Sequence, residues 1–246
     1  MQGIYPILWA NFLNFKKQYR AFFISGLIKP IFYLMIFNLG IGRRVSLAGG
    51  MDYLHFMIPG LITMIVVNHS FSNLVNWFTI RRNHFKVLDF YLISPNSVWS
   101  VIGGNVLYGV CLSLLGFFLL WLVLILGSVS VKINLAVFGI IISLSVIFGA
   151  LAIFVACLAK SERDSSVVSN LIITPLTFLC GTFFPLERLP EILQYFAWCT
   201  PVTPGVYALR AVILGYPVNY MVIALMLFWT LLSIFLAGYF LKGREL

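Results

Sequence analysis

Covalent chemistry has few places to happen in this chain. His55, His69 and His84 are far apart and form no His-Glu-x-x-His pair, the spacing that sets two imidazoles on one helix face around zinc. No serine sits in a Gly-x-Ser-x-Gly turn. Cys111, Cys157, Cys180 and Cys199 are scattered without a Cys-x-x-Cys pair. A membrane enzyme would need a nucleophile with its base, or a metal cluster, and the sequence offers neither. No Gly-x-x-x-x-Gly-Lys-Ser/Thr loop occurs, so ATP is not bound by that route. What the sequence does offer is polar groups inside apolar runs. Asn68, His69, Ser72 and Asn73 form one set; Asn170, Thr174, Thr177 and the neighbouring Phe178 form another. Within lipid such groups need partners, either a neighbouring helix or a solute in a wet path. The helices that carry these two sets should therefore face other helices or a cavity.

The second chemical feature is the polar island from Ile80 to Pro95. Arg81, Arg82, His84, Lys86 and Asp89 alternate with Phe85, Val87, Leu88, Phe90, Tyr91 and Leu92. Leu88, Tyr91 and Leu92 share one helical face. The pattern predicts a short amphipathic helix at the membrane surface rather than a plain loop. Ser94-Pro95 ends it, because proline disfavours helix in the residue before it.

These features must be carried by membrane helices. Of the 246 residues 61% are hydrophobic and 9% charged, with mean hydropathy +1.02; soluble domains average about 25% charged. The formal charge of +9 fits positive charge kept on the inner side and contact with anionic lipid, not a nucleic-acid partner. An all-α membrane protein with six transmembrane helices is expected. The spans are placed at 22–41, 56–78, 98–126, 133–158, 167–184 and 220–241. Before them, residues 1–21 carry Ile4, Leu8, Phe12, Phe15 and Tyr19 on one stripe, predicting an N-terminal interfacial helix. No cleavage site follows the first apolar run. Residues 79–97 form the cytoplasmic amphipathic segment.

Residues 185–218 are too apolar for a solvated loop and too rich in proline for a span. Leu189-Pro190-Glu191 and Thr203-Pro204 can each start a helix, and Gly215 can stop one. Two short re-entrant helices in the outer leaflet are expected. Orientation follows from basic residues. Lys16, Lys17, Arg20, Arg81, Arg82, Lys86, Lys160, Arg163, Lys242 and Arg244 fall on one side. They outnumber Arg43, Arg44, Lys132, Arg188 and Arg210 on the other, which places both termini in the cytoplasm. An ion-driven carrier is disfavoured, since no acid lies within an expected span and no internal repeat is visible.

This layout resembles the permease subunits of type-2 ABC exporters. One motif is the basic cluster followed by an acid and leucines before Ser-Pro: Arg81, Arg82, Leu88, Asp89, Tyr91, Leu92, Ser94, Pro95. Lys86-Val87 stands where many members have Gly-Thr. The other is Gly181, Phe184, Pro185, Leu189, Pro190, then Pro201 and Pro204. Lipo-oligosaccharide (nodulation-factor) and daunorubicin-type drug exporters look most similar; O-antigen and teichoic-acid polysaccharide permeases share the layout. The resemblance implies an inner-membrane transport subunit that moves an amphipathic substrate and is not itself an enzyme. It implies no cofactor on this chain, with ATP and Mg bound by a partner ABC ATPase present in two copies. It also implies a second, identical permease about a two-fold axis. Arg81, Arg82, Phe85, Leu88, Asp89 and Leu92 would then seat a coupling helix on the ATPase. Asn68, His69, Ser72 and Asn73, with Asn170, Thr174, Thr177 and Phe178, would line the substrate pathway, and Phe183, Phe184, Tyr195, Phe196 and Trp198 would close the outer end.

Overall fold

Runs of about twenty apolar residues must satisfy their backbone polar groups internally, and helix is how this chain does it. The computed structural model describes residues 3–36, 53–83, 98–129, 131 and 133–242, whose regular structure is all helical. Several expectations fall outside the described residues. These are the end of the first span at 37–41, the Arg43-Arg44 loop, Lys132, residues 243–246 and the segment 84–97 with Phe85, Leu88, Asp89 and Leu92.

Helix α1 is Ile4–Met35. The interfacial helix and the first span, expected as separate pieces, are one continuous rod of about 48 Å. The reason is local: neither Pro nor Gly stands between Lys16 and Phe22 to break it. Helix α2 is Tyr53–Asn83, longer at both ends than 56–78. It passes through Pro59 and contains a wider π-type turn at Asn68–Ser72. Arg81 and Arg82 therefore lie on this helix.

Helix α3 is Val98–Leu126. Helix α4 is Leu135–Leu158, capped by the Asn134 side chain accepting from the Val137 N–H at 3.2 Å. Helix α5 is Glu162–Leu179. It starts earlier than 167 because Ser161 and Asp164 form a reciprocal capping box. The acids Glu162 and Asp164 also suit the positive end of the helix dipole. It stops at Cys180, where Gly181 takes φ +77°, a conformation that favours glycine. A 3₁₀ turn, Leu186–Arg188, leads to α6, Glu191–Trp198, and α7, Val202–Leu214, ended by Gly215 at φ +81°. Helix α8 is Tyr220–Lys242.

Four of these helices, α2, α3, α4 and α8, are long and apolar enough to cross a membrane. Phe22–Met35 of α1 and Val202–Leu214 are shorter apolar stretches. Helix α4 is the hub, packed by α8, α3, α2 and α7. Ile141, Leu144, Ile147, Phe148 and Ile153 are sealed inside it. Gly149 of α4 packs against Val106 of α3. Helix α1 lies along α3, and α7 lies along the start of α2. Cys180 and Cys199 are both thiols.

Candidate functional site: an amide-lined cavity

The π-type turn of α2 is where the site begins. An extra residue in one turn displaces the side chains that follow, and such turns recur at functional sites. Here it holds Asn68 to Ser72. The Asn68 amide donates back to the Met64 carbonyl at 3.0 Å, and Ser70 Oγ to the Val66 carbonyl at 2.7 Å. The Asn73 amide meets His69 Nδ1 at 3.1 Å. The His69 ring is wedged between helices: its centre lies 4.6 Å from that of Phe22 on α1. On α3 it lies over Gly116, where any Cβ would overlap the imidazole. A side chain larger than glycine at 116 would push His69 out of its seat.

Around this turn lies a cavity of about 540 Å³. Asn68, His69, Ser72, Asn73, Asn76, Trp77 and Ile80 line it from α2. Asn14, Phe15 and Phe22 come from α1, Tyr108 and Leu112 from α3, and Asn170 from α5. Of the eight pathway candidates, the structure brings five to this wall: Asn68, His69, Ser72, Asn73 and Asn170. The other three lie elsewhere. Thr177 is buried and its hydroxyl donates to the Ile173 and Thr174 carbonyls, both at 2.9 Å. Thr174 and Phe178 lie on the exposed face of α5. Among the described residues, no Asp, Glu, Lys or Arg lines the cavity. Its chemistry is that of amides, hydroxyls, aromatic rings and the His69 imidazole, which donate and accept hydrogen bonds.

One end of the cavity is tied by a buried amide that sequence reasoning missed. Asn11 is 0% exposed. Its carbonyl accepts from Trp77 Nε1 at 3.0 Å and from Arg81 Nη1 at 2.6 Å. Its amide donates to Asn105 Oδ1 at 3.2 Å, and Asn105 in turn donates to the Val101 carbonyl. Arg81 also stacks over Trp77, 5.5 Å from the ring centre. Three helices thus meet on one side chain, and Trp77 is fixed as part of the cavity wall.

Arg82 works differently. It donates to the carbonyls of Ala156 (2.7 Å), Cys157 (3.1 Å) and Ala159 at the end of α4. Those carbonyls have no partner within the helix. Sequence alone places both arginines at the start of a surface segment; in the structure these guanidinium contacts are made with the helix bundle.

The outer-end candidates separate into two groups. Phe183 is buried, 5.1 Å from Phe178 and 5.9 Å from Tyr33. Trp198 packs on Tyr207 at 5.0 Å. Phe184, Tyr195 and Phe196 are exposed.

Asn76 was legible in principle, because it continues the stripe of His69, Ser72 and Asn73 by a helical turn. Trp77 and Tyr108 carried no such signal among so many aromatics.

Comparison with known proteins adds relatives. A family model described as ABC-2 type transporter matches residues 2–214. The inner membrane transport permease YadH of Escherichia coli K12 is 26% identical over 216 residues, covering 85% of this chain and 82% of that protein. Nodulation protein J of Neorhizobium galegae is 26% identical over 210 residues, covering 85% and 80%. The same-named protein of Rhizobium meliloti is 24% identical over 208 residues, covering 84% and 79%.

Proposed function

Because the chain belongs to the ABC-2 type transporter family, whose permeases work with an ABC ATPase, we propose that it is the membrane-spanning half of an ATP-driven exporter in the inner membrane. Its cargo is an amphipathic molecule, a lipo-oligosaccharide, another lipid-like compound or an apolar drug with an uncharged polar part. The observation that carries this reading is the cavity on the π-type turn of α2. Amides of Asn14, Asn68, Asn73, Asn76 and Asn170 suit hydroxyl and amide groups of a polar head. Phe15, Phe22, Ile80 and Leu112 suit an apolar tail.

Six crossings with both termini cytoplasmic follow from the distribution of basic residues. The ATPase, with its ATP and Mg, docks on residues 79–97, and closure of two ATPases moves that segment. Two identical permeases pair about a two-fold axis. The exposed Asn170 and Thr174 on α5 support this, since polar groups at membrane depth need protein or water beside them.

The test is reconstitution with the ABC ATPase in proteoliposomes and measurement of ATP hydrolysis against added compounds. Uncharged glycolipid-like amphiphiles should stimulate hydrolysis, and Asn73→Leu should raise the concentration needed. Stimulation by long free polysaccharide, with none by amphiphiles, would transfer the assignment to polysaccharide export.

A further inference from the structure

Arg210, half-buried, makes a second arrangement that the cavity does not use. It sits on α7, facing the turn that ends α5. Its Nη2 donates to the Gly181 carbonyl at 2.7 Å and to the Phe56 carbonyl at 3.3 Å. Its guanidinium carbon lies 3.8 Å over the Phe56 ring. One side chain therefore ties three pieces together: α7, the start of α2 and the left-handed turn at Gly181. Tyr53 Oη, donating to the Phe183 carbonyl at 3.0 Å, fastens the same turn.

The attachment is incomplete. Arg210 Nε is buried with no hydrogen-bond partner. Among the described residues no carboxylate lies within ion-pair distance of this guanidinium. The nearest acid in the arrangement is Glu187, exposed, and Tyr207 stands between them. Tyr207 Oη donates to Glu187 Oε1 at 3.1 Å, and its ring centre is 5.7 Å from the guanidinium carbon. A partly buried cation held by carbonyl dipoles and a ring face is less well compensated than one paired with a carboxylate. Arg210 is thus one tyrosine away from a better partner that its present position denies it.

We infer that Arg210 is the positioning residue of the outer closure, holding the Gly181 turn onto α2 when the outer end is shut and passing to Glu187 when that turn lifts. This rests on the reading that residues 181–215 lie on the outer side.

Cys180 is the built-in reporter. It is buried beside Gly181, its sulfur 3.1 Å from Thr200 Oγ1, and lifting the turn uncovers it. The experiment replaces Cys111, Cys157 and Cys199 by Ser and follows labelling of Cys180 by a membrane-impermeant maleimide in right-side-out vesicles. Arg210→Gln removes a charge-assisted hydrogen bond, so labelling should accelerate by about tenfold or more. Glu187→Gln removes the open-state partner, so labelling should slow. A merely structural prop predicts parent-like labelling of Glu187→Gln, since Glu187 makes no ion pair with Arg210 when the turn is down; that result, or faster labelling, overturns the inference. Parent-like labelling of Arg210→Gln also overturns it. If that variant fails to reach the membrane, Arg210→Lys carries the test, with an intermediate rate expected and a parent-like rate fatal. Tyr216→Cys, in a chain with Cys180 also replaced, reports sidedness. Its labelling only after permeabilisation would overturn the outer-side reading itself, independently of the latch.

Discussion

Replacing Asn11 by Leu should loosen the junction of α1, α2 and α3 by an amount the structure allows to be worked out. The side chain is fully buried and makes three hydrogen bonds, to Trp77, Arg81 and Asn105. Interhelical hydrogen bonds in membrane bundles average about 0.6 kcal/mol each, which gives about 2 kcal/mol for three. That is a floor, because leucine also leaves the Trp77 N–H, one Arg81 N–H and the Asn105 carbonyl without this partner. A buried group stranded in this way costs about 1–3 kcal/mol in water-soluble cores, and more if charged. Arg81 and Trp77 are only partly buried, so water recovers much of their share. The expected loss is about 2–4 kcal/mol, and at about 2–4 °C per kcal/mol for a chain of this size the melting temperature should fall by about 5–15 °C. Asn11→Asp is the informative partner. It keeps the acceptors for Trp77 and Arg81 but sets a carboxylate against the Asn105 carbonyl, so its loss should be smaller. Thermal unfolding in detergent, read from tryptophan fluorescence, measures both. The reasoning is refuted if Asn11→Leu melts within a degree of the parent, or if Asn11→Asp is the more damaging change.

Gly116→Ala should displace His69 into the cavity at a cost of about 1–3 kcal/mol, the usual range for overpacking. His69→Ala in the same chain should recover part of that loss, Ile65 Cγ2 still standing 2.8 Å from the new Cβ, and a double-mutant cycle without coupling would count against the close packing described here. Leu88→Asp should leave the permease inserted and folded but weaken co-purification of the ATPase, since a buried interface side chain often costs more than about 1 kcal/mol when lost. Leu126→Ala should leave assembly intact, and equal behaviour of the two variants would remove residues 79–97 from the docking role. Single cysteines at positions 84 and 162 should label only from the cytoplasmic side and one at position 48 only from outside. Outside labelling at 84 would overturn the topology.

Much of the fold was legible because lipid leaves a chain few choices. Apolar runs such as Val98–Leu126 can only be helices, and the structure gives α3 those bounds. Local chemistry also announced Gly215 as a stop, and it caps α7 with a positive φ. Boundaries set by competing local signals were less legible. Nothing in composition says that α1 runs unbroken through Lys16 to Phe22, or that a capping box at Ser161 starts α5 in a charged stretch.

The polar residues show where sequence stops and tertiary structure begins. A stripe on one helix is a one-dimensional fact, so Asn68, His69, Ser72 and Asn73 could be found together by their spacing. Their junction with Asn14 and Phe22, Tyr108 and Asn170 depends on how four helices stack, which no spacing encodes. The same holds for Asn11 and Asn105, 94 positions apart. Arg81, Arg82 and Arg210 make the point most plainly. By type each reads as a surface charge, yet each guanidinium meets internal acceptors: the Asn11 amide, the end of α4, and the Gly181 turn. A charge goes where its hydrogen bonds can be made, and only the packed bundle decides where those acceptors stand.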